Sequence, residues 1–145
     1  PQMFLGYWQD KEKTKESFVI LDNKQFLKTG DLGYFDSDGY FYIVDRLKRM
    51  ISFSGFKVWP AEVEEVLYSH PDIKEAWIIA VPDQRTGEKV KAVIVLKEKS
   101  PIFTLRRLQI WCKSRMATYK IPKMMELRDT LPKNRVGKIL WRQVK

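Results

Sequence analysis

The stretch 73–96 constrains the fold most. Ala76-Trp77-Ile78-Ile79-Ala80-Val81 is apolar at both alternating sets of positions. A strand of that kind is predicted to be covered on both sides. After a turn over 82–88, a second strand over 90–96 alternates Lys91 against Val90 and Ala92 and then becomes wholly apolar. Two helices flank this pair. The first spans 60–70: Pro60 suits the first helical position, Glu62, Glu64 and Glu65 favour the positive N-terminal end, and Val63, Val66 and Leu67 share a face. His70-Pro71 ends it. The second spans 105–115, with Thr104 as its cap. Leu105, Leu108, Trp111 and Cys112 form its apolar stripe, and Arg106, Arg107, Lys113 and Arg115 face away. A short strand over 124–128 and a loop over 132–137 follow.

Upstream, 32–45 reads as a hairpin. Tyr34-Phe35 and Tyr40-Phe41-Tyr42-Ile43-Val44 flank Asp36-Ser37-Asp38-Gly39, where Gly39 supplies the turn. Those aspartates also suggest a calcium loop, but the 12-residue spacing ending in a bidentate Glu is missing. The fold class is therefore α+β: a small β-hairpin, then a roughly three-stranded sheet packed with two to three helices. There is no internal repeat.

At 145 residues the chain is about one domain's worth. The opening Pro1-Gln2-Met3-Phe4-Leu5-Gly6-Tyr7-Trp8 is apolar and aromatic, unlike a polar free terminus, and we read it as a cut through a larger protein. Residues 9–16 are polar, either the start of a helix or a loop. With 44% hydrophobic and 31% charged residues, a disordered or fibrous chain is excluded. One cysteine, Cys112, and one histidine, His70, exclude a disulfide scaffold and Cys/His zinc folds. Cys112 reads as a small core residue. No apolar run reaches the roughly 20 residues of a membrane span, and no leader pattern opens the chain. A reducing, cytoplasmic setting is expected. The net charge of +9 calls for an anionic partner: nucleic acid, a lipid surface or a phosphorylated small molecule.

Three motifs carry chemistry: Thr29-Gly30-Asp31, Asp45-Arg46-Leu47-Lys48 and Pro132-Lys133-Asn134-Arg135-Val136-Gly137-Lys138. Singly each is weak. Asp31 alone suits a turn, and Arg46 or Lys138 alone suits a solvated surface. Gly137-Lys138 is not a P-loop, since the upstream Gly is missing and Ile139 replaces the Ser/Thr that would hold magnesium.

Together, over 27–144, these motifs resemble the C-terminal part of an adenylate-forming, AMP-binding enzyme. Gly6-Tyr7-Trp8 resembles the last segment of that family's large N-terminal part. The runs Val44 to Ile51, Ser54 to Glu64 and Pro132 to Leu140 most resemble fatty-acyl-CoA ligases. The resemblance implies that 1–30 is the tail of the N-terminal part and 31–145 a mobile C-terminal domain, with a hinge near 45–48. It implies two half-reactions: a carboxylate and ATP give an acyl-adenylate and pyrophosphate, then the CoA thiol displaces AMP. The small domain rotates between them.

By this resemblance Thr29, Gly30, Asp31 and Arg46 bind the nucleotide. A carboxylate suits the two hydroxyl donors of a ribose, and the guanidinium fork of Arg46 is poorly replaced by Lys. Lys48 is the hinge. Lys138 is the catalytic lysine of adenylation, its ammonium meeting charge that develops on phosphate oxygens. Ser54, Gly55 and Lys57 line the CoA channel, with Lys57 free to pair a CoA phosphate. Tyr119 lies against the CoA adenine or serves packing only. Ser52 stands where luciferase-like members often carry Lys. ATP enters with Mg²⁺, CoA is co-substrate, and no dedicated metal site is read in the chain. The acyl pocket and phosphate loop belong to the N-terminal part, so the 145 residues alone are expected to be inactive.

Other expectations stay open. An aryl-CoA ligase, or an enzyme passing the adenylate to another acceptor, would share the adenylation residues. The charge and 19 aromatics (8 Phe, 5 Trp, 6 Tyr) leave a nucleic-acid-binding module as a remote alternative, though the basic residues are dispersed and no reading motif is present. A lipid substrate would also permit peripheral membrane association. The identity of the acid is not legible.

Overall fold

The computed structural model describes residues 3–97, 102–140 and 143–144. Pro1 and Gln2 of the aromatic opening lie outside the described residues. The chain divides into two compact units, Pro1–Leu47 and Lys48–Lys145.

The first unit begins with helix α1, Lys11–Glu16, inside the polar stretch 9–16. Asp10 caps it by accepting from the Lys13 N–H at 2.9 Å. Strands β1 (Phe18–Leu21) and β2 (Lys24–Leu27) form an antiparallel hairpin. Asp22 and Asn23 turn it with both φ positive, the conformation of a tight two-residue hairpin turn. Strands β3 (Asp31–Phe35) and β4 (Phe41–Arg46) form the expected hairpin. Its register shifts between Leu32 and Gly33, where a Cβ on Gly33 would sit 2.7 Å from the Tyr42 carbonyl oxygen. Asp36 organises the turn. One of its oxygens accepts from the Asp38 and Tyr40 N–H groups at 3.0 Å each, and the other from the Tyr42 hydroxyl at 2.9 Å. These bonds, led by that from Tyr40, hold its carboxyl below the usual range. Asp36 thus serves this turn as a hydrogen-bond acceptor.

The second unit is built on a sheet. Strands β5 (Ile51–Phe53) and β6 (Phe56–Val58) pair across Ser54-Gly55, both at positive φ (48° and 83°). Helix α2 (Pro60–Tyr68) follows, then β7 (Ile73–Asp83), β8 (Gly87–Leu96), α3 (Leu105–Lys113) and β9 (Met124–Leu127). The sheet order is β6-β5-β8-β7, with β9 parallel to β8. It has five strands where about three were expected, because β5–β6 joins the main pair through Phe53 opposite Gly87. Pairing of β7 with β8 extends through Pro82 and Asp83, part of the stretch expected as turn. Proline is tolerated there because β7 lies at the sheet edge. Helix α2 stops two residues short of His70, its last turn closed by Ser69.

The two-sided cover predicted for the strand over 73–81 is present, with Ala76 and Ile78 on one core and Trp77 and Ile79 on the other. Ala76, Ile78, Val90, Ala92 and Ile94 face a core shared with Val63 and Leu67 of α2 and Leu108 and Cys112 of α3. Val93 and Val95 face the other way, against Leu131 and Val144, with Trp77, Ile79 and Ile139 beside them. Burial raises the Cys112 thiol to about 11, as befits a core residue. Thr104 caps α3, its hydroxyl accepting from the Arg107 N–H at 3.3 Å. Among the described residues, no helix is long and apolar enough to cross a membrane.

Candidate functional site

In the first unit, Asp31 opens β3 and Arg46 closes β4, and the register sets them opposite each other. Their side chains meet, with Arg46 Nε donating to Asp31 Oδ1 at 2.8 Å. Thr29 supports the pair from below, its hydroxyl accepting from the Asp31 N–H at 3.1 Å. The Gly30 carbonyl accepts from the Leu47 N–H at 2.9 Å, closing the base of the hairpin. The four residues singled out at 29–31 and 46 therefore form one cluster. Arg46 is largely exposed and Asp31 partly so, and the remaining Arg46 nitrogens and the second Asp31 oxygen suit a ligand that both donates and accepts hydrogen bonds.

Lys48 lies in a single turn of 3-10 helix, Leu47–Arg49. Arg49 was not singled out from sequence. Its guanidinium donates to Glu64 Oε1 at 2.5 Å and lies 3.9 Å from the Trp77 ring centroid.

Ser54, Gly55 and Lys57 occupy the β5–β6 hairpin, exposed to solvent. The Ser54 N–H donates to the Thr86 carbonyl at 2.8 Å, and the Ser52 N–H to Glu88 at 2.6 Å, so the hairpin is moored to the start of β8. Gly55 gives the turn its left-handed second residue, which a side chain would resist. Tyr119 joins this group through Phe56. The rings stack with centroids 4.6 Å apart and planes within 17°. Tyr119 thus packs with one face against the hairpin. Phe56 belongs to the Ser54-to-Lys57 run read from sequence but was given no role of its own there, although an aromatic directly after Ser-Gly was the available signal. Lys120 next door is held by Glu62 of α2.

Lys138 stands on an exposed loop of its own. The loop is closed by an antiparallel bridge between Lys133 and Ile139 and by the Leu140 N–H donating to the Pro132 carbonyl at 2.9 Å. Lys133 ties it to β7 through Glu75 at 2.7 Å, and Ile139 packs on the core of Val93, Val95, Leu131 and Val144. Inside it Asn134 is the organiser. Its Oδ1 accepts from the N–H groups of Val136 (3.1 Å) and Lys138 (2.8 Å), and its backbone pairs with Gly137 and Lys138. Sequence reading passed over Asn134. The signal was an Asn four residues before the lysine, able to bond its own backbone two residues on. The arrangement offers a cation on a loop whose backbone is closed by its own hydrogen bonds.

The chain also resembles known proteins in sequence and fold. Residues 62–138, more than half of the chain, match the family model described as AMP-binding enzyme C-terminal domain. A long-chain-fatty-acid–CoA ligase of Bacillus subtilis (strain 168) is 46% identical over 99% of this chain, covering 25% of its own length. A feruloyl-CoA synthase of an Amycolatopsis species is 43% identical over the whole chain, covering 28% of its own. The crystal structure of ATP-bound MatB from Rhodopseudomonas palustris superposes with a TM-score of 0.84 at 35% identity, over 97% of this chain and 27% of that one. The chain thus spans about a quarter of the length of the relatives it matches. It belongs to the AMP-binding enzyme C-terminal domain family.

Proposed function

We propose that this chain is the C-terminal part of an ATP-dependent fatty-acyl-CoA ligase. In the first step a carboxylate oxygen attacks the α-phosphorus of ATP and pyrophosphate leaves. In the second the CoA thiol gives up its proton, its sulfur attacks the acyl carbon and AMP leaves. The observation that carries the reading is Lys138, an exposed cation on a loop whose backbone is closed by Asn134. Negative charge spreads over phosphate oxygens as the α-phosphorus is attacked, and a pre-positioned ammonium stabilises that state more than the ground state. Asp31 and Arg46, with Thr29 and Gly30 behind them, hold the ribose hydroxyls. The preformed 2.8 Å pair supports this, since the two groups need no reorganisation to present donor and acceptor together.

Lys48 is the hinge between half-reactions, with the second unit as the mobile domain and the first unit as the end of the N-terminal part, so the boundary lies at the hinge and not at residue 31. The division between Leu47 and Lys48 supports a pivot there. Ser54, Gly55, Lys57 and Tyr119 serve CoA. Gly55 lets the thin pantetheine arm approach the backbone, Lys57 meets a phosphate, and the Tyr119 ring lies against the adenine. ATP as its magnesium complex, CoA and a fatty acid are the substrates. The N-terminal part supplies the acyl pocket, so the 145 residues alone do not form adenylate. The setting is cytoplasmic, no nucleic acid takes part, and the lipid substrate brings the enzyme to membranes only peripherally.

A second reading, an aryl-CoA ligase, is favoured by the 43% identity to a feruloyl-CoA synthase. It uses the same residues with a different acyl pocket, and turnover of the full-length enzyme with fatty against aromatic acids separates the two. The test of the shared mechanism is Lys138→Ala in that enzyme. ATP–pyrophosphate exchange is expected to fall about 10²–10³-fold. Thioester formation from supplied acyl-adenylate is expected to persist. Normal exchange in the variant would remove Lys138 from the mechanism.

A further inference from the structure

The residues on either side of Lys48 are tied to different units. The Leu47 N–H bonds the Gly30 carbonyl at 2.9 Å, within the first unit. Arg49 is tied within the second. Its Nη2 donates to Glu64 Oε1 at 2.5 Å and its guanidinium covers the Trp77 ring at 3.9 Å. Glu64 is buried, and the same oxygen accepts from the Ile78 N–H at 2.8 Å. Arg49 is therefore bound to α2 and to β7 at once. Among the described residues, the Lys48 side chain makes no hydrogen bond or ion pair.

A buried ion pair contributes little net stability, because desolvating both charges offsets their attraction. What it does supply is a defined geometry, and Arg is suited to that. Its planar fork can bond a carboxylate while its face stacks on an indole, which Lys cannot reproduce.

We propose that Arg49 is a positioning residue for the domain rotation. It clamps the chain to the second unit one residue past the pivot and so confines the φ/ψ change to Lys48. This rests on the reading of Lys48 as the hinge. Hinges are a few residues that absorb a backbone change, and their sharpness depends on what is held rigid beside them. Without the clamp, residues 49–50 share the change, and the second unit reaches each working orientation with its groups displaced.

The experiment uses the full-length enzyme. Arg49→Ala is expected to lower kcat for overall acyl-CoA formation about 10-fold, with KM for ATP and CoA within about twofold. Truncation also takes the guanidinium away from the buried Glu64 carboxylate, so two further variants separate positioning from folding. Arg49→Met combined with Glu64→Gln removes both charges while keeping an amide oxygen for the Ile78 N–H. It is expected to melt near the wild type and to stay slow. Arg49→Lys keeps the ion pair but loses the fork and the plane, and is expected to regain stability without full rate. Wild-type kcat in these two variants, or a change confined to KM, overturns the proposal. Lys48→Pro tests the underlying reading separately. If it leaves both half-reactions and overall turnover intact, the hinge assignment fails and the clamp with it. If it blocks turnover while the Arg49 variants keep wild-type kcat, the hinge stands and only the clamp is overturned.

Discussion

Asn134 holds both sides of the Lys138 backbone. Its side-chain oxygen accepts from the Lys138 N–H at 2.8 Å, and its own N–H donates to the Lys138 carbonyl at 2.9 Å. A flexible side chain is thereby mounted on a peptide hydrogen-bonded on both sides, which lowers the entropy lost when the ammonium reaches a phosphate.

Removing that mount should cost activity without unfolding the protein. Asn134→Ala in the full-length enzyme is expected to slow ATP–pyrophosphate exchange about 10-fold, because a loosened loop misplaces the ammonium. Its melting temperature should barely move, since the loop is exposed. Asn134→Asp keeps the acceptor oxygen and should recover most of the rate. Equal exchange rates in the wild type and Asn134→Ala would show that the loop needs no such organiser.

The Asp31–Arg46 pair makes a different demand. One guanidinium nitrogen is taken by Asp31, so a ligand must be met by the others. A lysine can satisfy Asp31 or the ligand but lacks the geometry for both. Arg46→Lys should therefore raise KM for ATP about 10-fold, the scale of one lost charge-assisted hydrogen bond. Steady-state kinetics with ATP varied at saturating CoA checks this, and an unchanged KM would argue against nucleotide contact.

His70 is the only histidine, which makes its titration easy to isolate. Its Nδ1 accepts from the Asp72 N–H at 3.1 Å, and its ring packs on Trp111 (4.6 Å) and edge-on to Phe103 (5.3 Å). Burial is the main cause of a pKa below the usual 6.5, opposed by nearby Asp72 and reinforced by Arg115, Arg107 and Lys97. The folded state therefore favours the neutral ring. Between the folded pKa and 6.5 the unfolded chain binds more protons, so stability is complete above 6.5 and declines as pH falls below it. The His70 ring proton resonances should titrate with a midpoint below 6.5, and denaturant midpoints should drop between pH 7 and pH 5. A midpoint at or above 6.5 would contradict this account.

Element types were legible where neighbouring residues decide them. The double alternation of 76–81 announced a strand with two covered faces, and both cores are there. Pro60 and Thr104 marked helix starts correctly, because the first turn needs only a residue without a donor or a local acceptor. The β1–β2 hairpin was not legible, since Asp22-Asn23 reaches positive φ without the glycine that usually signals such a turn. The parallel strand β9 could be read as a strand, but its pairing with β8 could not.

At the candidate site, the residue types carried the chemistry. A carboxylate after Thr-Gly, an arginine leaving a hairpin and a lysine after glycine are weak signals singly, and the family resemblance of the three motifs together is what named them. Tertiary structure alone decided their partners. Asp31 meets Arg46 because the register of β3 and β4 sets them opposite each other. Arg49 meets Glu64, 15 residues away, because α2 packs beside β7. Tyr119 meets Phe56 because the chain returns to the β5–β6 hairpin after α3. Periodicity and punctuation act over one turn or one pair of residues. Ion pairs and ring stacks depend on where separate segments cross, and that is settled only when the apolar faces have found each other.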